Sequence, residues 1–187
     1  NPDHQIGAGS GTKEDHGDLV YLGNSNARYL YGFNISAQWK GFDFSMMFQG
    51  VGKRKIMIDA AAIAPFYTTY QMPWTIHRDY WTEDNQDAFW PRLYDYKTNN
   101  GGENFNFRPS DKWVQDASYL RLKNITLGYT IPYTKKYVNS VRVYITGNDI
   151  WEHSDLLKVF DPEAGNNVGR NYYPFFRTWA FGVNITF

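Results

Sequence analysis

A strict two-residue alternation of large apolar and small polar side chains constrains this sequence more than any other feature. It is clearest near the end of the chain, where Trp179, Phe181, Val183, Ile185 and Phe187 alternate with Thr178, Ala180, Gly182, Asn184 and Thr186. Successive side chains of a β-strand point to opposite faces, so the pattern predicts a strand with one apolar face.

Four further runs have the same alternation, at 29–39, 42–49, 124–131 and 141–148. Only Lys40 and Gly41 separate the first two runs, which predicts a β-hairpin with a two-residue turn. In that register Trp39 and Phe42 are direct cross-strand neighbours, and both are apolar. The sequence therefore predicts five β-strands, and no helical periodicity of useful length accompanies them.

Composition removes several classes of function. The 19 basic and 19 acidic residues cancel, so no net charge favours nucleic acid as a partner. The chain has no Cys, which excludes a disulfide framework, a thiolate metal site and a thiol nucleophile. No apolar run approaches the roughly 20 residues of a membrane-spanning helix. Strands of a membrane barrel remain compatible, because they alternate polar with apolar residues.

The alternation alone fits two architectures, the wall of a membrane β-barrel and a secreted soluble β-sandwich that binds carbohydrate through exposed aromatics. The links between the runs favour the barrel. Those at 40–41 and 132–140 are short, whereas those at 51–117 and 152–173 are long. Outer-membrane barrels have short periplasmic turns and long extracellular loops. An odd number of strands with two open edges further predicts a piece of a larger barrel.

Several stretches closely resemble one family. These are LGNSNARYLYGF at 22–33, SYLRLKNITLGYTIP at 118–132, VRVYITGNDIW at 141–151, VFDPE at 159–163 and YPFFRTWAFGVNITF at 173–187. Together they resemble the late barrel strands and last extracellular loop of SusC/RagA-type TonB-dependent transporters. The loop at 51–112 carries no motif of that family, so the resemblance gives no substrate.

The resemblance implies an all-β fold, the C-terminal five antiparallel strands of a large transmembrane β-barrel of the 22-stranded type, with long extracellular loops. The expected division is 1–27 extracellular loop, 28–50 strand hairpin, 51–117 long extracellular loop, 118–151 two strands with a periplasmic turn, 152–173 extracellular loop and 174–187 final strand.

The resemblance also implies a function and partners. The whole protein would be an active importer of oligosaccharides or peptides in the bacterial outer membrane, with no enzyme activity and no cofactor. A SusD-like surface lipoprotein would cover the loops. TonB would act on a plug domain that lies, like the upstream barrel strands, outside this sequence.

Two sets of residues are assigned to the membrane. The closing run, Trp179, Phe181, Val183, Ile185 and Phe187, resembles the signal by which the barrel-assembly machinery recognises its clients. The residues expected to face lipid are Phe33, Ile35, Trp39, Phe42, Phe44, Phe48, Ile125, Leu127, Tyr129, Val143 and Ile145. Trp39, Phe42, Tyr129 and Trp179 suit the aromatic girdle at a membrane interface.

The long loops carry candidates for contact with a substrate or partner, namely Trp74, Trp81, Trp90, Tyr94 and Trp113. Aromatic faces stack on sugar rings, which favours a glycan surface. A loop of this length also needs an apolar core of its own, and for any single aromatic that interpretation is preferred.

No catalytic or metal site is predicted. Asp155, Asp161 and Glu163 have no spacing that defines a glycosidase pair, so a glycoside hydrolase ranks last. His4 and His16 lie among carboxylates, but their spacing matches neither a zinc nor a calcium motif.

Overall fold

The computed structural model describes residues 7, 9–67, 72–93, 105–107, 110–135, 137–164 and 175–187, and most of their regular structure is β-sheet. Seven strands follow one another: β1 (Tyr29–Trp39), β2 (Phe42–Gly52), β3 (Lys55–Met57), β4 (Val114–Asp116), β5 (Tyr119–Lys135), β6 (Val138–Ser154) and β7 (Thr178–Thr186). The helical elements described are α1 (Ala60–Ile63) and the 3-10 helices Thr75–Arg78, Phe105–Phe107 and Asp111–Trp113.

Five strands form one antiparallel sheet in the order β1-β2-β5-β6-β7. These are the five strands that the alternation predicts. The β1–β2 turn consists of Lys40 and Gly41, whose φ angles of 46° and 88° are both positive. Two consecutive positive φ values match the twist of a tight hairpin, and Gly adopts them without steric cost. The predicted pairing of Trp39 with Phe42 is confirmed.

The register aligns like side chains across the whole sheet. One cross-strand row reads Ala37, Phe44, Leu127, Ile145 and Phe181, and the adjacent row reads Ser36, Ser45, Thr126, Thr146 and Ala180. We call the two sides the apolar face and the polar face. A one-residue slip would exchange them, so the apolar pattern specifies this register strongly.

A β-bulge corrects the register in β5. Met47 pairs with Asn124 and Phe48 with Leu122, so Lys123 is the extra residue. Against β6 the extra residue lies in β6 instead, because Asn124 pairs with Asn148 and Leu122 with Trp151, which leaves Asp149 and Ile150 opposite Lys123. The bulge therefore keeps Leu122 on the apolar face, next to Phe48 and Trp151, although its spacing from Ile125 is odd.

Strands β5 and β6 are longer than the sequence predicts, with 17 residues each. Lys135 pairs with Val138, so only two residues separate the strands, whereas the predicted link spans 132–140. The alternation stops after Ile131, yet backbone hydrogen bonding continues. A hairpin that extends past its neighbours has no face to bury, so its side chains need not alternate.

The sequence predicts no regular element in the loop between β2 and β5, but the structure contains several. β3 and β4 pair in a small antiparallel sheet, and α1 follows, its N-terminus capped by the Asp59 carboxylate, which accepts a hydrogen bond from the Ala61 amide at 2.9 Å. Together with residues 155–164 after β6, these segments form what we call the loop unit. Its buried core contains Ile56, Ile58, Ala62, Ile63, Ala64, Trp90, Phe107, Trp113, Ala117, Leu156 and Phe160.

Candidate functional site

The apolar face of the sheet is uncovered in the part of the chain that the structure describes. Phe33 is 46% exposed, Leu127 49% and Phe181 82%. In a soluble β-sandwich these positions form the core between two sheets and are almost fully buried. The soluble sandwich is therefore not favoured. A contiguous apolar surface across five strands needs a non-aqueous neighbour.

All the residues that the sequence assigned to lipid lie on this face. The register places Phe33, Ile35, Trp39, Phe42, Phe44, Phe48, Ile125, Leu127, Tyr129, Val143 and Ile145 on one side. Trp179, Phe181, Val183 and Ile185 of the closing run pair into the same face through β6. Phe187 directly follows β7 and is 81% exposed.

Tyrosine and tryptophan occur only towards the strand ends of the described apolar face. Trp39 and Tyr129 lie near the β1–β2 turn, and Tyr29, Tyr31, Trp151 and Trp179 lie towards the loops. Trp39 lies eight positions after Tyr31 in β1, about 27 Å along the strand. A strand tilt of about 40° reduces this to roughly 21 Å, close to the ~25 Å apolar band of outer-membrane barrels.

The polar face is a hydrogen-bonded surface of small side chains. The Asn124 amide donates to Thr146 Oγ1 at 3.0 Å and to Asn148 Oδ1 at 2.9 Å. Nearer the turns, Arg142 pairs with Asp43 through two hydrogen bonds of 2.8 and 2.5 Å. This pair crosses β5 above Gly128, where an added Cβ would lie 2.5 Å from Asp43 Oδ1. Glycine at this position therefore makes room for an ion pair between β2 and β6.

A buried ion cluster lies at the loop end of the polar face. Arg121 in β5 is 3% exposed and contacts Asp161 and Glu163, each at 2.8 Å, as well as Glu152. The bulge residue Lys123 lies 2.7 Å from Asp149 and 3.3 Å from Glu163. A cation buried to this extent requires such partners.

The ion cluster connects the five-stranded sheet to the loop unit. We call residues 156–164 the strap, because they leave β6 and fold back over β5. Leu156 and Phe160 of the strap belong to the loop core, while Asp161 and Glu163 bind Arg121. Buried Arg54 donates to the Pro162 carbonyl at 2.9 Å. Sequence reasoning missed this cluster, although the VFDPE motif and the basic pair Arg121 and Lys123 were its signals.

The loop aromatics divide into two groups. Trp90 and Trp113 are 3% and 1% exposed, and their rings stack with centroids 5.6 Å apart. They form the core that the sequence interpretation preferred, and they offer no free surface to a ligand. Trp74 is 39% exposed and Trp81 partly buried. Tyr94 lies outside the described residues.

Two titratable groups show how the loop unit is held. Burial lowers the pKa of His77, against a smaller opposite effect of its hydrogen bond to the Ile63 carbonyl. Its Nδ1 accepts from the Trp74 amide at 2.8 Å, so Nε2 carries the proton and donates to Ile63 O at 2.6 Å. At Asp116, burial opposes ionisation, but hydrogen bonds from Ser118 and Lys55 outweigh it and lower the pKa.

Two of the three acidic residues considered for a glycosidase have structural roles. Asp161 and Glu163 both neutralise Arg121. Within the described part of the chain, no three His, Cys, Asp or Glu side chains are grouped to hold a metal ion. His4 lies outside that part. None of the helices described is long and apolar enough to cross a membrane.

Comparison with known proteins shows which proteins the chain is similar to. No protein-family model matches the chain. TonB-dependent receptor P26 of Formosa agariphila is 29% identical over 208 residues, covering 99% of this chain and 20% of the receptor. TonB-dependent receptor SusC of Bacteroides thetaiotaomicron is 36% identical over 83 residues, 42% of this chain and 8% of SusC. The chain is thus similar in sequence to TonB-dependent receptors, SusC among them.

The fold of the chain is also similar to a solved structure of the RagAB peptide transporter. Its TM-score is 0.62 at 28% identity, with 83% of this chain and 17% of that chain covered. The five-stranded sheet is thus part of the wall of a large β-barrel, as the link lengths and the family resemblance predict. The relatives found by these comparisons are named as receptors and transporters. It spans 20% of the length of receptor P26.

Proposed function

We propose that this chain forms part of the wall and extracellular surface of an outer-membrane active importer. The apolar face contacts lipid and the polar face lines the lumen. The loop unit lies outside the cell, and the two hairpin turns lie in the periplasm. The division of the chain into loops and strands at 1–27, 28–50, 51–117, 118–151, 152–173 and 174–187 belongs to this proposal, with the strand ends adjusted to the observed register.

One observation carries the proposal: the apolar face extends without interruption over five strands and has no protein layer against it in the described residues. Lipid is the environment that such a face requires, because water would leave it solvated at a cost of about 25 cal/mol for each Å². Aromatic residues at both ends of the face support the same orientation, since Trp and Tyr favour the membrane interface.

The partners of the importer are inferred from its similarity to SusC and to the RagAB transporter. A SusD-like surface lipoprotein would sit over the loop unit, and TonB would act from the periplasm on a plug domain inside the barrel. Upstream strands of the same transporter would pair with the free edges of β1 and β7, because open sheet edges are not tolerated in lipid. The closing residues Trp179 to Phe187 would serve as the signal for barrel assembly.

The substrate would be an oligosaccharide or a peptide. Of the loop aromatics predicted from the sequence, Trp74 is 39% exposed and Trp81 is partly buried, so these two remain candidates for contact with substrate or lipoprotein. Trp90 and Trp113 would act only indirectly, by supporting the loop unit from inside.

Deletion of the transporter gene, with complementation by the full-length protein, tests the function. The deletion strain should lose uptake of one labelled oligosaccharide or peptide, and the complemented strain should regain it. The complemented protein should require detergent for extraction, migrate faster on gels when unheated, and co-purify with a lipoprotein. Unchanged uptake of every glycan and peptide tested, or a protein that is monodisperse in buffer without detergent, would contradict the proposal.

A further inference from the structure

Basic side chains gather at the loop end of the apolar face, beyond its last aromatic residues. Arg28 immediately precedes β1, and Lys53 immediately follows β2. Tyr29 and Gly52, the residues next to them, are paired across the two strands. Lys53 has a positive φ of 51°, and its ammonium lies 5.7 Å from the centre of the Tyr29 ring. Both cations are therefore at the rim where the apolar face ends.

These cations line a groove of about 460 Å³, together with Lys55 and the exposed side chains of Tyr21, Leu22 and Asn24. We call it the cationic groove. Its walls are fixed in place: the Lys55 amide donates to the Asn24 carbonyl at 2.9 Å, and Arg54 Nε donates to the Ser25 carbonyl at 3.2 Å. The segment before β1 is thereby held against the loop unit.

The groove has an excess of positive charge. Lys55 is paired with Asp116 at 3.0 Å, and Asp116 is the acidic residue in the lining. Among the residues that the structure describes, no carboxylate lies within ion-pair distance of Arg28 or Lys53. Apolar side chains continue from the groove, since Leu19, Val20 and Tyr21 are 55%, 71% and 86% exposed. Two available cations beside an apolar surface match an anionic group on a lipid.

We propose that the cationic groove binds the phosphate of an outer-leaflet lipid headgroup, with Arg28 and Lys53 as its ligands and Tyr21 and Leu22 against the attached apolar part. The inference rests on the proposed function, because it requires the apolar face to lie in the membrane with the loop unit outside. Basic residues at the end of a lipid-facing surface are suited to anionic headgroups. Such a contact would fix the height of the β1–β2 hairpin in the bilayer.

The test uses the full-length transporter in detergent and purified lipopolysaccharide as the probe, in phosphorylated and dephosphorylated forms. The double variant Arg28→Gln with Lys53→Gln removes both charges. Lys40→Gln is the matched control, because Lys40 also has a positive φ and lies 4.9 Å from the Trp39 ring, at the opposite end of the same face.

The parent and Lys40→Gln should bind phosphorylated lipopolysaccharide equally, and the double variant about 25-fold more weakly, at roughly fivefold for each charge. Dephosphorylated lipid should bind the parent as weakly as phosphorylated lipid binds the double variant. Equal binding by parent and double variant would overturn the inference. Full displacement of the lipid by inorganic phosphate at a matched phosphate concentration would also overturn it, because the site would then take a free anion.

Gel migration of the same samples separates this inference from the proposed function. If the unheated parent shows the faster migration of a folded barrel and the variants bind equally, only the headgroup site fails. If the parent shows no heat-dependent shift, the membrane orientation fails and the headgroup site fails with it.

Discussion

The sheet and the loop unit use the same kinds of side chain in opposite ways. Phe181 in β7 is 82% exposed, whereas Trp113 in the loop unit is 1% exposed. The loop unit buries its large apolar residues in a core, as a small globular domain does. The sheet places its large residues outward and its small polar residues on the other side. Apolar content alone therefore does not show which residues of this chain form a buried core, whereas the register of the strands does.

The largest expected effect is in the loop unit. Replacement of Trp113 by alanine removes a ring that stacks on Trp90 and Phe107 at centroid distances of 5.6 and 5.2 Å. The loss should be about 3–5 kcal/mol of local stability. Hydrogen exchange in the full-length transporter should show lost protection at β3 and β4 and unchanged protection in the main sheet.

Trp74→Ala is the control, since this ring is 39% exposed and its removal should change exchange only slightly. Simultaneous loss of protection in β5 and β6 would show that the two regions form one cooperative unit, which would remove the contrast between them.

The second effect distinguishes the two faces of the sheet. Phe44 and Ser45 are neighbours in β2 on opposite faces, in the rows of Leu127 and Thr126. Phe44→Arg should destabilise the barrel in a bilayer by about 2–4 kcal/mol, because its charge would lie in lipid. Ser45→Arg should cost much less, because its charge would enter the wet lumen. Urea titration monitored by heat-dependent gel migration measures both, and equal costs would contradict the assignment of the faces.

A third, smaller effect concerns the attachment of the loop unit to the wall. Arg121→Met leaves Asp161 and Glu163 without their principal cation. Part of the cost is relieved because Glu163 keeps Lys123 at 3.3 Å and Glu152 is 29% exposed to water, so about 1–2 kcal/mol is expected. Hydrogen exchange of the strap should rise while the loop core stays protected. Arg78→Met, at an exposed position, is the control. An unchanged strap would show that the loop core alone holds it.

The smallest effect is a pH dependence confined to the loop unit. His77 has a lowered pKa because it is buried, so the unfolded loop binds a proton at higher pH than the folded loop. Its stabilising contribution is therefore complete above the ordinary value of 6.5 and declines as the pH falls below it. Hydrogen exchange in the loop unit should be faster at pH 5 than at pH 7.5, after correction for intrinsic rates. His77→Gln should abolish the difference, whereas persistence of the difference would assign it to another group.

The sequence predicted the sheet well because a single physical rule governs it. Alternation identifies β1, β2, β5, β6 and β7, and the two-residue turn at Lys40 and Gly41 sets their first register. Strand ends were less predictable. The extension of β5 to Lys135 depends on backbone pairing with β6, and its side chains have no periodic pattern.

The loop unit and the ion cluster were beyond sequence reasoning for a different reason. The core joins Ile56 to Leu156 and Phe160, and Arg121 meets Asp161 forty positions away. No local pattern encodes such contacts, because they depend on how two loops meet above the sheet. The preference for a mini-core over a glycan surface was correct for Trp90 and Trp113, and it followed from the need of a long loop to bury its own apolar residues.

Solvent accessibility at Ile35 and Ser36, adjacent in β1 on opposite faces, tests the membrane assignment most directly. Each is replaced by a spin-labelled cysteine in the full-length transporter, reconstituted in a bilayer. The label at 35 should collide with oxygen, which concentrates in lipid, and the label at 36 with a water-soluble nickel chelate. If the label at 35 is shielded from both reagents, or reached by the chelate, the apolar face does not lie in lipid.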